Sequence, residues 1–383
     1  MLTKRKGLIM NIKMSPILLT PLLILSNPLA ALAEDKAVTL DLSGHIKMYM
    51  NYADQDGSAR KTDILRDTDI TFSGETTLSN GLTVGANVNT DGDGGDGFEI
   101  EDSFIYASGD WGRLSAGAED GTAFLLQVAA PSADENVDGI ETFVNPINFN
   151  ATGLSGTDFE TDTSEFGLDY DNDLTAGADK ISYISPVFSG FQAGASYTPD
   201  VSNFSPASRS LNGNNTDNVL DEFGDAWELG ARFENSMSDT INYTVGAGYT
   251  SVNTERTNGA STIDTFTEWN TGFDMNIGDY GIGVVYTENN GGKINGNDSK
   301  TWVIGADYTV GDIKYGASWL NNTHEETTTT EIDTNRFTGG LVYEYGPGLS
   351  FRGSVSHTNA NAPASLGGDV KGTAITVGTQ ILF

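Results

Sequence analysis

The stretch "NTDGDGGDGFEIED", residues 89–102, holds six acidic residues and four glycines among its fourteen positions, the kind of composition that binds calcium. Set on the twelve-residue EF-hand template from Asn89, Asp91 and Asp93 fall at positions three and five and Gly94 at six. The twelfth position is Ile100 rather than Glu, and Asn89 replaces the first Asp, so the template fails. Asp91, Asp93 and Asp96 still form a looser candidate for a structural Ca2+, because repelling carboxylates on a glycine turn invite a cation. Other chemistry is thinly represented. The three histidines, His45, His324 and His357, sit in no local motif with a Ser or Thr nucleophile. There is no cysteine for thiol or zinc-thiolate chemistry. Carboxylate pairs such as Glu99/Glu101 mean little in a chain so rich in acid, and no phosphate-cradling loop occurs. Gly246 and Gly248 read as strand packing sites. No catalytic residue is assigned, and the chain reads as a non-enzyme.

The elements around that loop explain it better. Residues 1–33 read as a signal peptide: Lys4, Arg5, Lys6 and Lys13 precede the proline-broken apolar run 16–33, and Ala31-Leu32-Ala33 fits the small-x-small cleavage rule. Removing those four basic residues takes the formal net charge from −33 to about −37. Such a charge argues against nucleic acid and anionic surfaces as partners and suits cations. No later run reaches the roughly 20 apolar residues of a helical span. Period-two alternation appears instead. Val38, Leu40, Leu42, Ile46, Met48 and Met50 share one face of the first such segment, with Thr39, Asp41, Ser43, His45, Lys47 and Asn51 opposite. The pattern recurs in "AWELGARFE", "TWVIGADYTV" and the terminal "AITVGTQILF".

Connections alternate in length. Short turns fall at Asn80-Gly81, 109–112, Ser189-Gly190, 236–239, Gly278-Asp279, Gly311-Asp312 and 346–348. Long polar stretches fall at 54–64, 91–97, 121–178, 201–224, 254–263, 290–298, 321–332 and 359–371. Together they count sixteen strands in an even up-and-down order, predicting an all-β transmembrane antiparallel barrel over residues 34–383. The apolar face turns to lipid and the polar face to a water-filled lumen, with aromatics near strand ends as interfacial girdles. By this parity Ile100, Phe104 and Tyr106 are expected to face lipid, and Lys47, Arg113, Arg232, Lys314, Arg336 and Arg352 the lumen.

The signal peptide, the sixteen strands, the outsized loop after the fifth and the terminal "TAITVGTQILF" ending in Phe383 together make the chain resemble the Gram-negative general porins. The resemblance implies a homotrimer in the outer membrane, in contact with lipid and lipopolysaccharide, with Phe383 as the signal read by the barrel-assembly machinery. It also implies that loop 121–178 is the third outside loop, folded into the pore. There Asp134, Glu135, Asp138 and Glu141 are expected to face the wall bases and set a transverse field, with Asp158, Glu160, Asp162 and Glu165 further along the loop. The same resemblance places residues 89–102 in a loop reaching over a neighbouring subunit, where a bound ion would tighten the trimer. The function this implies is passive diffusion of small hydrophilic solutes and ions, with a cation preference. The alternatives are a porin selective for a particular nutrient and a secreted calcium-binding surface protein. The latter predicts a periodic series of Asp/Gly motifs, and the sequence holds one cluster.

Overall fold

The structure, a computed structural model, describes residues 38–92, 99–154, 168–201, 218–294 and 296–383. Alternating residues with many β-branched side chains cannot bury one face as helix, and they pair as sheet. The strands are β1 (Thr39–Gln55), β2 (Thr62–Thr77), β3 (Thr83–Asp91), β4 (Glu99–Gly109), β5 (Gly112–Ala118), β6 (Asp179–Ile184), β7 (Phe191–Thr198) and β8 (Phe223–Ser238). They continue as β9 (Ile241–Thr254), β10 (Phe266–Ile277), β11 (Tyr280–Asn289), β12 (Ser299–Val310), β13 (Ile313–Thr327), β14 (Thr330–Gly346), β15 (Leu349–Asn361) and β16 (Val370–Leu382). Each pairs antiparallel with its sequence neighbours, and β16 pairs with β1, so the sheet closes into a barrel of sixteen strands. Closure leaves no edge strand. At the seam Gly44 and Phe383 exchange two backbone hydrogen bonds, Gly44 N donating to Phe383 O at 2.9 Å and Phe383 N to Gly44 O at 3.1 Å. The terminal aromatic therefore completes the last rung of the wall.

Large apolar side chains lie on the outside, among them Leu40, Met50, Trp227, Leu229, Ile304, Val355 and Val377. The inner face is mostly Ser, Thr, Asn, Gly and charge, with Val285, Val303, Leu320 and Val342 among the apolar side chains buried there. Aromatic pairs ring the outer surface in two rows. Toward the long connections run Tyr197–Trp227, Trp269–Tyr286, Tyr286–Trp302 and Trp319–Phe337, with ring centroids 4.5–6.5 Å apart. Toward the short turns run Trp111–Tyr183, Phe233–Tyr243, Tyr280–Tyr308 and Tyr345–Phe351.

Two expectations are corrected. The polar run 321–332 is not a long loop: β13 and β14 continue through it and leave only Thr328 and Thr329 between them. Its threonines lack apolar alternation but favour extended backbone, being β-branched. Phe104 and Tyr106 do not face outward. Phe104 is 7% exposed and points inward, whereas Ile105 is 64% exposed. The cause is a bulge, with Asn89 paired to Asp102 but Thr90 to Ile100, which reverses the parity of β4 beyond it. Ile100, before the bulge, does face outward. Tyr106 lies across the bare Gly85 to donate its hydroxyl to Glu75 Oε2 at 2.5 Å.

Candidate functional site

The described parts of the connection between β5 and β6, residues 119–154 and 168–178, lie against the inner wall. The connection opens with the short helix α1 (Thr122–Leu125) and carries a second, α2 (Glu135–Asp138). From α1 to Ala133 its backbone is seated on glycines, one on each of six successive strands. Gly230 meets Thr122 O, Gly246 the Val128 side chain, Gly272 Val128 O, Gly283 the Pro131 ring, Gly305 Pro131 O and Gly316 Ala133. A Cβ at Gly305 would overlap the Pro131 carbonyl, so the absence of side chains lets two backbones approach. Gly246, read as a strand packing site, packs against the Val128 side chain of this connection. Hydrogen bonds fix the two limbs of the connection to each other: Gln127 Nε2 donates to Tyr170 O at 2.8 Å and Asn172 N to Gln127 Oε1 at 2.9 Å.

The helix α2 is held by charge. Asp134, fully buried, accepts from Asn136 N at its own helix start and from the Tyr49 hydroxyl at 2.8 Å, and pairs with Arg352 Nη1 at 2.6 Å. Glu135 pairs with Arg352 at 3.0 Å and Lys314 at 3.1 Å, and Asp138 with Arg336 at 2.6 Å. Burial alone would raise the Glu135 carboxyl, but Lys314 and then Arg352 more than offset it and hold it at about 2. These acids and bases are in direct contact, so they latch the loop to the wall instead of facing one another across open water.

The remaining wall bases are engaged as well. Arg113 pairs with Glu119 at 2.7 Å, and Arg232 donates to Gln127 O at 3.1 Å and pairs with Glu234. Lys47 is 2.7 Å from Asp67 and stands over the Phe143 ring at 3.1 Å from its centroid. All six bases expected in the lumen thus point inward, and each touches the long connection. Glu141 lies in the same connection, where burial and then the charges of Asp120 and Asp171 push its carboxyl well above the usual range. Asp171 is raised to about 7, mainly by burial, with the Asp120 charge adding to it. Asp169 and Asp173 are raised in the same way, burial first. Among the described residues, Glu141, Asp169, Asp171, Asp173, Glu228 and Glu268 form no ion pair.

Sequence reading missed three participants. Tyr49 sits among the outward Met48 and Met50 yet faces inward, and its parity, read strictly, would have shown this. Asp67 and Asp69 meet His45 across the β1–β2 pairing, with His45 Nε2 2.6 Å from Asp67 Oδ2. Of the calcium candidates, Asp91 ends β3, while Asp93 and Asp96 lie outside the described residues, as do Asp158, Glu160, Asp162 and Glu165.

An antiparallel barrel of sixteen strands, apolar outside and polar inside, with a long connection seated in its bore, is the fold of an outer-membrane channel. The family follows: a model described as Gram-negative porin matches residues 22–363, and the chain belongs to that family. It is similar to an uncharacterized protein of Rickettsia conorii, 23% identical over 332 residues that cover 73% of this chain and 76% of that one. In fold it is similar to the anion-selective porin from Comamonas acidovorans, with a TM-score of 0.60 and 16% identity over 91% of this chain and all of the other. It is also similar to OmpT of Vibrio cholerae in its trimer form, with a TM-score of 0.60 and 14% identity over 91% of this chain and all of the other. The protein is therefore an outer-membrane β-barrel, a channel for small solutes.

Proposed function

We propose that the channel passes small hydrophilic solutes by diffusion and prefers cations. One observation carries this reading: the six wall bases named above are each engaged by the long connection, as is Lys180 on β6 through Glu119 O, while six inward or loop carboxyls have no ion-pair partner among the described residues. Fixed charge of one sign in a low-dielectric constriction selects by charge. That the chain assembles as a homotrimer is part of the same proposal, supported by the trimeric form of a protein with the same fold.

Reversal potentials across a planar bilayer under a KCl gradient test the preference. Asp171, raised to about 7 by burial, is mostly protonated in mild acid and gains negative charge as pH rises. Cation preference is therefore expected to grow from about pH 5 to about pH 8. A reversal potential of the anion-preferring sign throughout that range sinks the reading.

A further inference from the structure

Between the return limb of the long connection, residues 168–174, and the inner faces of β10 to β13 lies a cavity of about 350 Å3. That is room for a small organic solute. Carboxyls line it from two elements, Asp169, Asp171 and Asp173 on the loop and Glu268 on β10. Glu268 is only 4% exposed, and its hydrogen bond is a long one of 3.4 Å from Asn289 Nδ2. Lys293, the one lysine of the lining, donates to Asn297 Oδ1 at 3.3 Å.

A second observation, independent of the acids, points to a guest. Asn322, 6% exposed, lines the same cavity, and its amide nitrogen donates to Ser299 Oγ and Thr301 Oγ1 at 2.9 Å each. Its carbonyl oxygen is buried without a hydrogen-bond partner, a costly state that a donor in the cavity relieves. The site asks for N–H groups and positive charge together. Spacing decides which kind of cation. Among the described residues, three potential ligands converge within 4.8 Å only at His45, Asp67 and Asp69, where the Lys47 ammonium already stands beside Asp67. No three carboxyls of the cavity converge in this way, and carboxyls spread over the loop and β10 suit charges set apart on a chain.

We propose that this cavity is a subsite for extended organic cations bearing ammonium or guanidinium groups, bridging the loop carboxyls and Glu268 with an N–H directed to Asn322. It rests on the cation-preferring reading above and names the class of solute that reading admits. Charged N–H donors on carboxylates are the stronger kind of hydrogen bond, and Phe266 and Tyr170 provide apolar wall for the connecting carbons.

The probe is agmatine, a linear dication with a guanidinium at one end and an ammonium at the other. Agmatine is expected to interrupt single-channel KCl current in planar bilayers at concentrations where calcium chloride does not. Glu268→Gln and Asp171→Asn, on separate elements, should each weaken the block roughly tenfold, the size of one lost charge-assisted hydrogen bond. Asp307→Asn, toward the opposite end of β12, should leave it unchanged, and heat-dependent gel mobility confirms that every variant is a folded barrel. Absence of block, or block unaltered in both carboxyl variants, overturns the subsite. So does calcium blocking equally and failing in the same variants, which makes the site a metal site. A cation-preferring channel that ignores agmatine sinks the subsite alone. An anion-preferring channel that agmatine still blocks through Glu268 sinks the selectivity reading and leaves the subsite standing.

Discussion

Arg352 reaches two consecutive carboxylates at the start of α2, Asp134 that caps it and Glu135 that begins it, and Asp134 is sealed from water by Tyr49 and Asn136. Replacing Arg352 by Ala leaves a buried charge without its partner, a loss of about 3–5 kcal/mol from loop docking. Single-channel recordings of Arg352→Ala are expected to show higher and noisier conductance, with the double variant Arg352→Ala/Asp134→Ala restored toward the parent. Additive effects of the two substitutions would show that the pair does not act as a unit. Alternation along β13, β14 and β15 suffices to place Lys314, Arg336 and Arg352 on the inner face, since a strand has only two faces. It cannot say which acid each base meets. Arg352 and Asp134 are 218 residues apart, and the path of the loop between them leaves no periodic trace. The same limit turned an expected field across the opening into a set of direct contacts.

At the level of the elements, the long connection follows a track of bare backbone. Gly305→Val places a branched side chain where Pro131 O now lies, an overpacking that costs about 1–3 kcal/mol and is relieved most easily by lifting the loop. The barrel is expected to survive with raised conductance; unchanged conductance in a folded barrel would falsify the seating role of the track. Strand number and order were readable because sixteen alternating segments are separated by turn residues. The glycines were visible too, but a glycine in a strand announces close approach without naming what approaches. Two errors were local. The threonines at 327–330 are polar enough to pass for loop, and the bulge at Asn89/Thr90 is one residue wide, too small for a pattern to register yet enough to invert Phe104 and Tyr106.

For the whole molecule, the two aromatic rows set a dimension. On β8, β9, β11, β12 and β14 the partners are Trp227 and Phe233, Tyr249 and Tyr243, Tyr286 and Tyr280, Trp302 and Tyr308, and Phe337 and Tyr343. Each pair is six positions apart on its own strand. Six strand residues span about 20 Å, and at the usual barrel tilt that is about 15 Å along the membrane normal. The rings thus demand a thin hydrocarbon layer, and a thicker one must be compressed at a cost of fractions of a kcal/mol per Å. Refolding into vesicles should go furthest with short acyl chains and fall off as the chains lengthen, and equal yields across lipids would remove the aromatic rows as the gauge. Where this protein can reside is then a matter of bilayer thickness as well as of export.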